Sequence, residues 1–169
     1  GPVAGAGWTS VGVGNYHSCG VLDDGTAWCW GNNGNGQIGD GYTSTVYDPR
    51  LVLGDIAWTG IEGGQYHTCG RSLDGHYYCW GSNSYSQLGV PTPNSVNRPM
   101  KALSDRVWVH VDGGYENGCG IDSDAHLWCW GNPDNGVLGI GSNYSGYQTV
   151  PAQVDENAWI AVSTGSRHT

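Results

Sequence analysis

Tryptophan recurs along this chain at a fixed interval. Trp8, Trp58, Trp108 and Trp159 stand 50, 50 and 51 residues apart, and each is trailed by the same succession of residues. Val11, Ile61, Val111 and Val162 come first, then Gly14, Gly64, Gly114 and Gly165, then His17, His67, Asn117 and His168. Cysteines follow as Cys19 with Cys29, Cys69 with Cys79 and Cys119 with Cys129, the second always preceding Trp-Gly. Each unit closes on Gly36-Gln37-Ile38-Gly39, Ser86-Gln87-Leu88-Gly89 or Gly136-Val137-Leu138-Gly139. A period of this length marks a repeat architecture, in which a small supersecondary unit hides its apolar face against its neighbours. The expected division is 8–57, 58–107, 108–158 and an incomplete 159–169. That last unit stops in the middle of an expected strand, so the chain reads as a segment of a longer protein.

Within a unit the pattern is β. His17-Ser18-Cys19-Gly20-Val21-Leu22 and Thr26-Ala27-Trp28-Cys29-Trp30 flank Asp23-Asp24-Gly25, a turn signal whose glycine supplies a positive φ. The second unit repeats this hairpin around Leu73-Asp74-Gly75. The third has Ser123-Asp124-Ala125, where alanine should tighten or alter the turn. No segment sustains an apolar period of 3.6, so helix content should be very low. Several short strands per unit, with glycine and aromatic signatures, predict an all-β fold of β-propeller blades. An all-β sandwich would also hold such strands, but it gives no reason for the strict recurrence.

Composition agrees. Thirty glycines, nine tryptophans and ten tyrosines argue against disorder, and the glycines follow no collagen period. A formal net charge of −9 is the wrong sign for gripping phosphate backbones, so nucleic acid is not an expected partner. No stretch approaches the roughly 18 apolar residues of a membrane span.

In each unit the cysteines sit symmetrically about the turn, five residues either side of Asp24, Asp74 or Asp124, and so face one another across a hairpin. Cross-strand disulfides Cys19–Cys29, Cys69–Cys79 and Cys119–Cys129 are expected, which implies an oxidising compartment and a secreted or cell-surface protein. Two other readings stay open. His17 with Cys19 and Cys29, or His67 with Cys69 and Cys79, offer three zinc ligands, although Asn117 breaks the pattern and no fourth ligand recurs. Free buried thiols are the third possibility. The repeated histidine is expected to hold a blade loop by hydrogen bonding, while His76, His110 and His126 fall outside that column and read as solvated. Asp40-Gly41 and Asp134-Asn135-Gly136 hint at calcium without a full binding loop, and the recurring Asp24, Asp74 and Asp124 are explained by turn chemistry. No metal or cofactor site is assigned. Asn143-Tyr144-Ser145 is a sequon for N-glycosylation at Asn143.

The run Trp28-Cys29-Trp30-Gly31-Asn32-Asn33-x-x-Gly36-Gln37-Ile38-Gly39, with its counterpart at Trp80-Gly81-Ser82-Asn83-x-x-Ser86-Gln87-Leu88-Gly89, resembles the regulator-of-chromosome-condensation repeat family. The Gly-x-x-His-x-Cys-Gly and Asp-Gly elements match as well. The resemblance spans essentially the whole chain and implies a β-propeller, seven-bladed in its usual form, of which three and a fraction units are an incomplete part. Members of that family include a nucleotide-exchange factor for a nuclear GTPase, a plant ultraviolet photoreceptor and, on the same architecture, a bacterial inhibitor of β-lactamases, so the resemblance implies a fold and not one function. One branch of the family senses ultraviolet light through a Gly-Trp-Arg-His-Thr motif, but here Ser166 stands where that tryptophan would be.

No nucleophile, acid–base pair or phosphate-binding loop stands out, so the expected function is a non-catalytic extracellular scaffold, a subunit of a surface appendage or matrix. Its partners would be other proteins or copies of itself. A lectin-like module is the alternative, with loop tyrosines Tyr42, Tyr47, Tyr85, Tyr144 and Tyr147 stacking on sugars. A nucleotide-exchange or protein-inhibitor propeller is the further one.

Overall fold

The computed structural model describes residues 2, 4–92, 94–102, 105–141, 146–165 and 168–169. Among the described residues twelve strands form three four-stranded antiparallel sheets, each running in sequence order from an inner to an outer strand. The first holds β1 (Trp8–Val13), β2 (His17–Leu22), β3 (Ala27–Gly31) and β4 (Val46–Leu51). The second holds β5 (Trp58–Gly63), β6 (His67–Ser72), β7 (Tyr77–Gly81) and β8 (Val96–Lys101). The third holds β9 (Trp108–Gly113), β10 (Asn117–Asp122), β11 (Leu127–Gly131) and β12 (Gln148–Gln153). The helical content among the described residues is a short 3₁₀ turn at Asp134–Gly136. These are three consecutive blades of a propeller, and residues 159–165 lie against the third without joining a ladder.

The central hairpin of each blade sets its register. Cys19 pairs with Cys29, Cys69 with Cys79 and Cys119 with Cys129 directly across the strands, and all three pairs are disulfides. With the sulfurs so joined, the zinc arrangement and the free thiols both fall away. The outer strand of every blade carries a proline, Pro49, Pro99 or Pro151, which lacks the N–H that an additional strand would need.

The blades are held to one another by tryptophan. Trp58, Ile61 and Trp80 of the second blade pack on Cys19, Val21, Ala27, Cys29, Ile38, Val46 and Val52 of the first. Trp108, Val111 and Trp130 do the same to the second blade, on Cys69, Tyr77, Cys79, Leu88, Val90 and Ala102. Each deep indole also donates backwards, Trp80 Nε1 to the Gln37 carbonyl at 2.9 Å and Trp130 Nε1 to the Gln87 carbonyl at 2.8 Å. A buried indole N–H left unpaired would cost about 1–3 kcal/mol, so this bond fixes how far the ring enters. Glycine makes the room: a Cβ on Gly39 would lie 2.6 Å from Trp80 Nε1, and one on Gly89 3.2 Å from the Trp130 ring.

The third hairpin turn departs from the sequence expectation. Alanine does not alter it. The turn bonds Gly25 N to Leu22 O, Gly75 N to Ser72 O and Ala125 N to Asp122 O have matching lengths of 2.9, 3.0 and 3.0 Å, and Ala125 takes a φ of 66°. The neighbouring blade enforces this, because the carbonyl of the same residue accepts the next unit's tryptophan N–H: Trp58 N to Gly25 O, Trp108 N to Gly75 O and Trp159 N to Ala125 O.

Two expectations follow from the backbone. Ala125→Gly should stabilise the chain by about 0.5–1 kcal/mol in urea titration, the relief of left-handed strain outweighing the added freedom of the unfolded chain. Gly39→Ala should cost about 1–3 kcal/mol more than Gly139→Ala, since both share a positive φ but Gly39 alone of the two lies under an indole.

Candidate functional site

In a sheet that runs inner to outer, the β1–β2 and β3–β4 connections leave from the same end, and so do their equivalents in the other two blades. Backbone bonds tie the two loops of each blade together: Asn32 N to Tyr16 O, Ser82 N to Tyr66 O and Asn132 N to Glu116 O, all at 2.8–2.9 Å. This end therefore collects the glycine- and asparagine-rich segments. The opposite end carries the tight hairpin turns with Asp24, Asp74 and Asp124.

Asparagine and glutamine build the loops. Asn33 Oδ1 accepts from Ile38 N at 3.0 Å and its amide donates to Asp40 Oδ1 and Tyr42 O, both at 3.1 Å. Asn83 repeats this with Leu88 N and Thr92. Gln37 Oε1 accepts from Asn35 N and its amide donates to Asn32 Oδ1, both at 2.9 Å, and Gln87 braces Tyr85 N and Ser82 Oγ likewise. Asp40 is thus occupied by loop bonds from Asn33 and from Tyr42 N.

The third loop lacks the glutamine brace because Val137 stands in its place. A cavity of about 380 Å³ lies there, lined by Tyr115, Glu116, Asn117, Asn132, Asp134, Asn135 and Val137. Asn132 donates to Glu116 Oε2 at 2.8 Å and to Asp134 Oδ2 at 3.2 Å. Tyr85 meets Tyr147 edge to face, ring centres 5.6 Å apart, and the Glu116 carboxylate beside Tyr85 raises its phenol pKa. Tyr16 and Tyr66 stack at 6.2 Å on the same end.

Of the tyrosines read from sequence, Tyr85 and Tyr147 come together here. Tyr42 and Tyr47 are exposed beside a separate recess on the first blade, with Asp40, Ser44 and Arg50, and Tyr47 lies on β4 rather than in a loop because the outer strand begins at Val46. Tyr144 and the sequon residue Asn143 lie outside the described residues. Sequence reasoning missed Glu116 and Asn132 and singled out Asp134 only as a hint of calcium, although the loss of glutamine at 137 and of histidine at 117 marked this unit as different. On the opposite end Asp122, Asp124 and His126 cluster, but Asp122 already accepts from Asp124 N, His126 N, Trp128 Nε1 and Arg106, as a turn brace does.

His17, the first of the recurring histidines, bridges blades rather than loops. His17 Nε2 lies 2.8 Å from Thr68 Oγ1 of the next blade, and that hydroxyl donates to the Gln37 carbonyl. The residue that would answer His67 in this way is Gly118, so neither ring nitrogen of His67 has a hydrogen-bond partner. His110, by contrast, is exposed, with Nε2 2.9 Å from the Val162 carbonyl. His76 and His126 are half-buried beside Asp74 and Asp122.

Burial lowers the pKa of His17 to about 4, and burial followed by the neighbouring His17 lowers that of His67 to about 3. Both are neutral in the folded chain while the unfolded chain protonates near 6.5. Their contribution is therefore complete above pH 6.5 and is lost as pH falls towards 4 and then 3, a difference of one in pKa between the folded and unfolded chains being worth about 1.4 kcal/mol. Denaturant titrations from pH 7 to pH 4 should show a steep loss of stability that His67→Asn, the residue type at 117, partly removes.

A family model described as the regulator of chromosome condensation (RCC1) repeat matches residues 24–70, 74–121 and 124–169, and a second of the same description matches 8–37 and 58–87. Among solved structures, Prp20p from Saccharomyces cerevisiae aligns with a TM-score of 0.84 at 20% identity, over 93% of this chain and 41% of that one. Human WBSCR16 aligns with a TM-score of 0.79 at 24% identity, over 89% of this chain and 38% of that one. At such identities the likeness is one of fold. The human E3 ubiquitin-protein ligase HERC2 is 40% identical over 43 residues, which is 25% of this chain and 1% of that protein. The chain thus spans less than half the length of each of these relatives.

Proposed function

Because the chain belongs to the regulator of chromosome condensation (RCC1) repeat family, we propose that it works as a non-catalytic, protein-binding scaffold in an extracellular, oxidising setting, as a repeated part of a surface appendage or matrix. The observation that carries this reading is the division of labour within each blade. The interior is stapled by a buried disulfide and locked by tryptophan, while one end gathers the β3–β4, β7–β8 and β11–β12 loops with exposed Tyr16, Tyr42, Tyr115 and Tyr147. Rigid blades under varied loops suit recognition of another protein. Prp20p has binding properties towards Gsp1p and histones, an instance of a related propeller serving as a protein-binding platform. Three disulfides fit an oxidising compartment. Among the described residues no helix is long and apolar enough to cross a membrane. A glycan on Asn143 belongs to the same extracellular reading.

A second reading has its own observation. The cavity at Glu116, Asn132 and Asp134, with Tyr115 on its wall and the Tyr85–Tyr147 pair nearby, offers the carboxylate acceptors and flat rings with which proteins hold sugars. An exchange-factor or inhibitor role would also use one propeller end.

Protein from its native source should gain the mass of two hydrogens for each of its three disulfides on full reduction, and lose roughly 2–3 kcal/mol of stability per staple. Recovery of reduced thiols would sink the extracellular assignment. Affinity capture from that source should yield a specific protein partner, weakened about tenfold or more by Tyr85→Ala with Tyr147→Ala if the loop end is the contact. A glycan array with hits that vanish in Glu116→Gln would instead favour the lectin reading.

A further inference from the structure

Two tyrosines face one another across the joint between the first and second blades. Tyr16 in the β1–β2 connection and Tyr66 in the β5–β6 connection stack with ring centres 6.2 Å apart and planes 22° from parallel. Equal positions in successive units produce the pairing. Gly14 N bonds to His17 O and Gly64 N to His67 O, both at 2.9 Å. Asn32 N and Ser82 N hold the Tyr16 and Tyr66 carbonyls, both at 2.8 Å, so the two loops share one shape and present their rings alike. Glu116 takes this position in the third blade and ends the column.

The joint under these rings is non-covalent, since each of the three disulfides closes a hairpin inside one blade. Tyr16 and Tyr66 each stand three residues before a cysteine of such a staple, Cys19 and Cys69. A bond between the rings therefore makes one covalent frame of two stapled hairpins. Composition leaves phenol chemistry open. Ten tyrosines stand against no phenylalanine, there is one methionine, and all six cysteines are disulfides, so no thiol intercepts an oxidant. Tyr16 is 64% exposed and Tyr66 half-buried. Their loops open at one end of the propeller, along its axis, a direction that further blades of a ring do not occupy.

We propose that Tyr16 and Tyr66 form an oxidative cross-linking site, joined as dityrosine by hydrogen peroxide and a haem peroxidase. Each phenol gives up one electron and one proton, and the two radicals couple through ring carbons ortho to the hydroxyls. The ortho hydrogens then move to the oxygens and restore both phenols. Peroxide takes up the two electrons and two protons and leaves as two waters. An exposed ring such as Tyr16 changes rotamer in nanoseconds or less, so the stacked pair reaches the edge contact that the new bond needs. Tyr85 and Tyr147 differ. Their planes stand at 78°, edge to face, which turns the ortho carbons of one ring only towards the other, and the Glu116 carboxylate beside Tyr85 opposes loss of its proton. The link rests on the oxidising setting of the reading above and is independent of the scaffold's partner.

Treating the purified, disulfide-intact chain in dilute solution with a haem peroxidase and limiting hydrogen peroxide tests the site. The product should remain monomeric, lose the mass of two hydrogens and show dityrosine fluorescence. Proteolysis should then release one cross-linked species that contains both Tyr16 and Tyr66. Tyr16→Phe and Tyr66→Phe preserve the stacked rings and should each abolish that product, whereas Tyr85→Phe should leave its yield unchanged. A Tyr16→Phe chain that forms as much monomeric dityrosine as the parent overturns the site. So do cross-linked peptides dominated by other tyrosines, or coupling that occurs between molecules alone. A chain that forms the link but carries free thiols when taken from its native source keeps the site and refutes the oxidising setting.

Discussion

Everything in this molecule hangs on an indole reaching back across a joint. Trp80 and Trp130 are not core residues of their own sheets in the ordinary sense: their rings cover a glycine of the preceding blade and their N–H groups end on that blade's Gln37 and Gln87 carbonyls. The burial is apolar and forgiving, but the hydrogen bond and the glycine beneath it are not. Together they set depth and angle, so successive blades repeat one geometry. The disulfides sit behind this contact, Cys19 and Cys29 in one cluster with Trp80 and Cys69 and Cys79 in another with Trp130.

The hairpins were legible in the sequence because they are local. Equal spacing of the cysteines about Asp24, Asp74 and Asp124 translates directly into opposed positions on antiparallel strands, and the turn residues declare themselves. The propeller was legible because 50-residue recurrence and the Trp-Gly-x-Asn run occur together. What escaped was decided by a neighbouring unit. Ala125 looked like a changed turn, yet its carbonyl is committed to Trp159 N, and that commitment holds the left-handed conformation against the preference of alanine. The histidine column looked like a loop brace, yet the partner of His17 is a hydroxyl 51 positions away in the next blade, and the ring of His67 has no hydrogen-bond partner at all.

The candidate site was the least legible part for the same reason. The cavity near Glu116 exists because Val137 does not brace its loop as Gln37 and Gln87 do theirs. Tyr85 and Tyr147, far apart in sequence, meet beside it because the loops of the second and third blades leave from the same end. A substitution that reads as a blemish in the repeat thus becomes the place where the surface acquires its own chemistry. Repeats make the scaffold predictable, and their exceptions carry the individuality.

Each disulfide lies within one hairpin, never between blades, and encloses a sequence separation of 10. Under tension along the chain, the joints and outer strands would give way while the stapled hairpins stayed closed as hidden length. Reduction would then release roughly 30 Å per blade at about 3.3–3.6 Å per residue. Redox state thereby sets how far an overloaded chain can extend.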